Sequence, residues 1–110
     1  MRELKIKDKI INDSSDCFVI AEIGHNHQGS VETAKKMFQK AKDAGASAVK
    51  LQKRDNKLLF TDEMYNSDYS SDNAYGATYG AHRDALEFGW EEYIDLKQFA
   101  DELGLIFFAT

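Results

Sequence analysis

In 110 residues, 43% of them hydrophobic and 30% charged, the chain has the make-up of a folded globular protein rather than a disordered one. A formal net charge of −5 with both signs interspersed leaves no basic stripe to follow a phosphate backbone, which argues against a nucleic acid partner but leaves room for small anions in a local cationic pocket. One cysteine cannot form an internal disulfide, the opening MRELKIKDKI is too charged for a signal peptide, and no apolar run nears the ~20 residues that cross a bilayer; the expectation is a cytoplasmic protein without membrane contact.

Leu4 and Ile6 alternate with Lys5 and Lys7, and after Asp8 and Lys9 come Ile10 and Ile11, a pattern that predicts a short hairpin. Residues 17–21 (CFVIA) are a continuous apolar run of strand length, as in a strand buried on both faces, with Cys17 as a small core hydrophobe. From Ser30 the period changes: Val31, Ala34, Phe38 and Ala41 fall at helical spacing, Ser30 suits the N-cap, Glu32 the positive end and Gly45 the stop. Residues 47–52 (SAVKLQ) read as a second buried strand. Residues 53 to about 88 are rich in Asp, Asn, Ser and Tyr without clean periodicity, and are expected to form a long loop with a short helix near residues 80–86. A second clear helix is predicted for residues 90–103, with Tyr93, Leu96, Ala100 and Leu103 on one face and Gly104 as its end, followed by a third apolar strand at residues 105–109.

Strands that are apolar on both faces and alternate with amphipathic helices call for a parallel sheet covered by helices, which a doubly wound sheet and a barrel both satisfy. In either, ligands collect at the C-terminal strand ends, where the polar residues here are Glu22, Asn26, His27 and Gln28, then Lys50 and Gln52, then Thr110. Lys50 and Gln52 are two apart and share a face, opposite to Val49 and Leu51, so in a barrel they point inward. An inward lysine requires an anion, which is either a ligand or Glu22 across the mouth. Glu22 itself is either chemical or a strand-end carboxylate satisfied by backbone amides. His25 and His27 form an H-x-H that offers two metal ligands or two loop hydrogen-bonding groups, with no third ligand in sight. Tyr75, Tyr79, His82 and Arg83 form either a lid that supplies hydroxyls and a cation or an aromatic layer that packs the loop down. The glycines match neither nucleotide-binding spacing.

Three ordered segments, residues 18–30 (FVIAEIGHNHQGS), 45–53 (GASAVKLQK) and 78–88 (TYGAHRDALEF), together with the FFAT of the third strand, resemble the N-acetylneuraminate (sialic acid) synthase family, over nearly the whole chain after residue 16. That resemblance implies an α/β fold of the TIM (β/α)8 type, of which this chain holds the N-terminal hairpin and the first two to three β/α units. It also implies that residues 1–110 are an N-terminal fragment of a single synthase domain, inactive alone, since such a barrel needs about 250 residues. The implied reaction condenses phosphoenolpyruvate with N-acetylmannosamine or its 6-phosphate to sialic acid or a related nonulosonic acid, releasing phosphate, in a homodimer when full length. By position, Lys50 and Thr110 resemble residues at phosphoenolpyruvate, Gln52 and Asn73 resemble contacts to the amino sugar, and Glu22 resembles a glutamate that positions water or a proton. A divalent metal, Mn2+ or Mg2+, is implied in the complete enzyme with ligands beyond residue 110. Alternatives are another phosphoenolpyruvate-dependent sugar-acid synthase, against which TYGAHRDALEF argues, and a noncatalytic half-barrel that binds a partner by its sheet edge.

Overall fold

A computed structural model describes residues 2–110. Its first feature is the expected hairpin: β1 (Glu3–Ile6) pairs antiparallel with β2 (Lys9–Asn12), and Lys7 at φ +52° makes the two-residue turn. There follow β3 (Ile20–Gly24), α1 (Val31–Asp43), β4 (Ala48–Leu51), α2 (Asn56–Leu59), α3 (Asp62–Tyr65), α4 (Tyr79–Ala85), α5 (Trp90–Leu103) and β5 (Ile106–Ala109). The last three strands form a parallel sheet in the order β3-β4-β5, so the expected β-α-β-α-β alternation is present and the class is α/β.

The two main helices form where their ends and stripes dictate. Ser30 caps α1 by accepting the Thr33 N–H on its Oγ at 3.1 Å. Gly104, at φ +71°, closes α5 in the left-handed conformation that suits glycine. Ala34 and Phe38 of α1 and Leu96 and Ala100 of α5 are fully buried against Val49 and Leu51 of β4, and together with Ile23, Phe88 and Leu105 they make the core. At about 25 cal/mol per Å² of apolar area this cluster is the main source of stability.

Two expectations need correction. The first parallel strand begins at Ile20, not residue 17, and Cys17 is exposed rather than in the core. The apolar run overshoots the sheet: β3 is bonded on one side only, and Val19 and Ile20 remain about half exposed although the Val19 carbonyl already accepts the Ser47 and Ala48 N–H groups. The stretch after β4 is also more ordered than its aperiodic sequence implied. Asp55 and Thr61 cap the single turns α2 and α3 through Leu58 N and Met64 N, Thr78 caps α4, and an antiparallel bridge joins Asp68 to Thr78. These helices are too short to show an apolar period, so local side-chain caps carry the signal instead.

Candidate active site

Alternation along β3 and β4 places Glu22 and Lys50 opposite each other in register, on the face away from the helices. Lys50 Nζ donates to both carboxylate oxygens of Glu22, at 3.1 and 3.0 Å, with 18% of the lysine and 47% of the glutamate side chain exposed. Gln52 Nε2 reaches Glu22 Oε1 at 3.4 Å. The other end of the Gln52 amide is fixed as well, because Oε1 accepts from Arg54 Nη2 at 2.6 Å. Thr110 stands beside them through its backbone: its N–H donates to the Leu51 carbonyl and its carbonyl accepts the Lys53 N–H. Four of the five residues expected at the site, Glu22, Lys50, Gln52 and Thr110, therefore gather at the C-terminal end of the parallel strands. Asn73 does not join them. It is exposed in the turn between the bridge partners Asp68 and Thr78, with its N–H on Ser71 Oγ.

A second layer ties the loops together. Glu87 Oε1 lies 2.8 Å from His25 Nε2, while Glu87 Oε2 accepts from Lys53 Nζ at 3.1 Å and from the Arg54 N–H at 3.2 Å, so one carboxylate links the loop after β3 to the one after β4. Burial draws His25 below the ordinary histidine range, Glu87 pulls it back in part, and the positive charges of Arg54 and Arg83 oppose that pull. His27 is almost completely buried and stacked on Phe88 at 4.0 Å, and its Nδ1 accepts the Gly29 N–H at 3.0 Å. Burial and the neighbouring His25 push it down to about 4, so both rings are neutral near pH 7. Gly29 itself is at φ +76°, and a Cβ there would meet the Ala85 carbonyl oxygen at 2.5 Å, so a glycine is required where this loop crosses the end of α4. Tyr93, from α5, donates to the Gln52 carbonyl at 3.5 Å, and burial pushes its hydroxyl up to about 12.

The H-x-H pair is thus committed to loop hydrogen bonds and stacking rather than to a cation, and among the described residues no group of three or more His, Cys, Asp or Glu is arranged to hold a metal ion. The residues present do not fit the divalent metal. Of the two readings of the tyrosine-rich segment, the geometry matches the packing one: Tyr69, Tyr75 and Tyr79 surround the buried His82, and Arg83 Nε donates to Tyr79 OH at 2.9 Å. Glu87 and Arg54 are the site residues that sequence reasoning passed over. Arg54 continues the i, i+2 series of Lys50 and Gln52, which was a usable signal; Glu87 lies inside a quoted segment but nothing in its spacing points to His25, 62 residues away.

Comparison with known proteins bears on what this arrangement serves. The NeuB family model matches residues 37–110. The N-acetylneuraminate-9-phosphate synthase of Drosophila melanogaster is 48% identical over 93 residues, 84% of this chain and 25% of that protein. Its Homo sapiens counterpart is 42% identical over 94 residues, 86% of this chain and 26% of that protein. The crystal structure of the N-acetylneuraminic acid (sialic acid) synthetase of Leptospira borgpetersenii serovar Hardjo-bovis, in complex with citrate, superposes with a TM-score of 0.76 at 27% identity, covering 98% of this chain and 33% of that one. The chain thus spans about a quarter to a third of the length of these relatives.

Proposed function

The chain belongs to the NeuB family, and from that membership we propose that it forms the N-terminal part of a (β/α)8-barrel synthase that condenses phosphoenolpyruvate with N-acetylmannosamine or its 6-phosphate. Carbon 3 of phosphoenolpyruvate bonds to the sugar aldehyde carbon, water adds at carbon 2, and phosphate departs with cleavage of its C–O bond, giving the nonulosonic acid. In this reading Lys50 takes the negative charge of phosphoenolpyruvate, Gln52 holds the amino sugar, and Thr110 borders the same ligands. Glu22 positions the attacking water or accepts its proton.

The observation that carries the proposal is the cluster of Glu22, Lys50 and Gln52 at the C-terminal mouth of parallel strands, where ligands bind in this fold class. A lysine already held by both oxygens of a partly exposed carboxylate is poised to exchange that partner for an incoming anion. The divalent metal belongs to the same reading, with ligands outside this chain, because the chain's own histidines are engaged elsewhere.

The test is Glu22→Gln in the whole protein with both substrates and Mn2+ or Mg2+ at saturation. The change keeps volume and removes charge and basicity, so turnover should fall by about 10²-fold or more. Turnover within a few-fold of normal with a lowered melting temperature would make Glu22 a structural residue and sink the catalytic assignment.

A further inference from the structure

The charged groups around the mouth differ in how they are matched. Lys50 pairs with Glu22 and Lys53 with Glu87. His25 is drawn toward neutrality by burial. Asp55, next in sequence, is used as the cap of α2, where its side chain accepts the Leu58 N–H. Arg54 has no carboxylate within ion-pair distance among the described residues, although it is only partly exposed and the chain as a whole is acidic. Arg83 is also without a carboxylate, but its guanidinium is occupied by Tyr79, whose hydroxyl accepts from Nε and whose ring it covers at 5.2 Å.

The local geometry gives Arg54 a defined place. Its backbone N–H is tied to Glu87 Oε2 at 3.2 Å, and Nη2 donates to Gln52 Oε1 at 2.6 Å. One of five donors is thereby used, and the rest of a planar fork stays at the end of the row formed by Glu22, Lys50 and Gln52. A partly desolvated guanidinium that the fold does not neutralise is costly to keep, and its fork matches an oxyanion, carboxylate or phosphate, better than any neutral group.

We propose that Arg54 is a further substrate-binding residue, which takes an oxyanionic group of a substrate through the guanidinium donors that Gln52 leaves free. The inference rests on the reading of this mouth as the substrate site. The anion can be the carboxylate or phosphate of phosphoenolpyruvate or a phosphate on the amino sugar, and the test separates these sources.

The whole protein and its Arg54→Gln, Arg54→Lys and Lys50→Met variants, each checked for a folded circular dichroism spectrum, are titrated by calorimetry with phosphoenolpyruvate, N-acetylmannosamine 6-phosphate and free N-acetylmannosamine. Arg54→Gln is expected to weaken one of the two anionic compounds by about tenfold or more, to leave the free sugar within about threefold, and Arg54→Lys should fall between, because charge remains but the fork is lost. The compound that suffers identifies the anion. Equal weakening of all three compounds would show that Arg54 only orients Gln52 and would overturn the proposal. No effect of Arg54→Gln, while Lys50→Met loses phosphoenolpyruvate, would overturn it and leave the assignment of Lys50 standing. Absence of binding by the unaltered whole protein would remove the assignment and the inference together.

Discussion

Adjacent residues of β4 lie in opposite environments. Val49 and Leu51 are fully buried against α1 and α5, and Lys50 and Gln52, alternating with them, stand on the other face among Glu22 and Arg54. The backbone ladder on both sides of the strand is common to the two faces, so the difference lies in the side chains alone. On the covered face each methyl group is in contact and contributes to stability. On the other face polar groups satisfy one another in a geometry that exchange with a ligand can break. That same face also carries Phe108, 37% exposed and in register with Lys50, and Ile20, 46% exposed, two residues before Glu22 on β3. Stability and chemistry are thus divided by a two-residue period within four residues of chain.

The division predicts unequal responses. The largest is Leu51→Ala, which opens a cavity in the helix-covered core and should cost about 2–5 kcal/mol in chemical denaturation. A loss below about 1 kcal/mol would mean that the face is loosely packed and the contrast drawn too sharply.

Next comes the pH response of the loop that joins the two faces. His27 is depressed to about 4 in the fold and regains an ordinary value near 6.5 when unfolded, so below pH 6.5 the unfolded chain binds the extra proton. Stability should therefore be fully present above about pH 6.5, fall as the pH drops toward 4, and level off in this contribution below that, with a total change of up to about 3 kcal/mol. His25, also depressed, adds in the same direction. His27→Gln keeps an acceptor for the Gly29 N–H and should flatten the melting-temperature profile between pH 4 and 6.5; an unchanged slope would show that His27 is not the titrating group.

The smallest expected effect is on the polar face. Lys50→Met removes one partner of a partly exposed ion pair, and such pairs contribute about 0–1 kcal/mol, so the denaturation midpoint should scarcely move. A loss comparable to that of Leu51→Ala would make Lys50 a structural cation and erase the distinction between the faces.

Much of this was legible before any coordinates. The apolar stripes of α1 and α5, the caps at Ser30 and Gly104, and the parity that sets Lys50 and Gln52 against Val49 and Leu51 are local properties of the chain, because helical and strand periods are fixed by backbone geometry. The order of residue types along FVIAEIGHNHQGS and GASAVKLQK likewise carried the family without a fold in hand. What the sequence did not carry were relations between distant segments. Cys17 and Val19 belong to an apolar run, but whether such a run is buried depends on where a neighbouring strand begins to pair with it. His25 and His27 could have been ligands until Glu87 and Phe88, more than 60 residues on, were found to hold one ring and stack on the other. Arg54 followed the strand parity on the page, yet only the tertiary structure showed which neighbours were already paired and left its charge unmatched. Period is written in consecutive residues, whereas charge compensation and burial are decided by segments that meet only after folding.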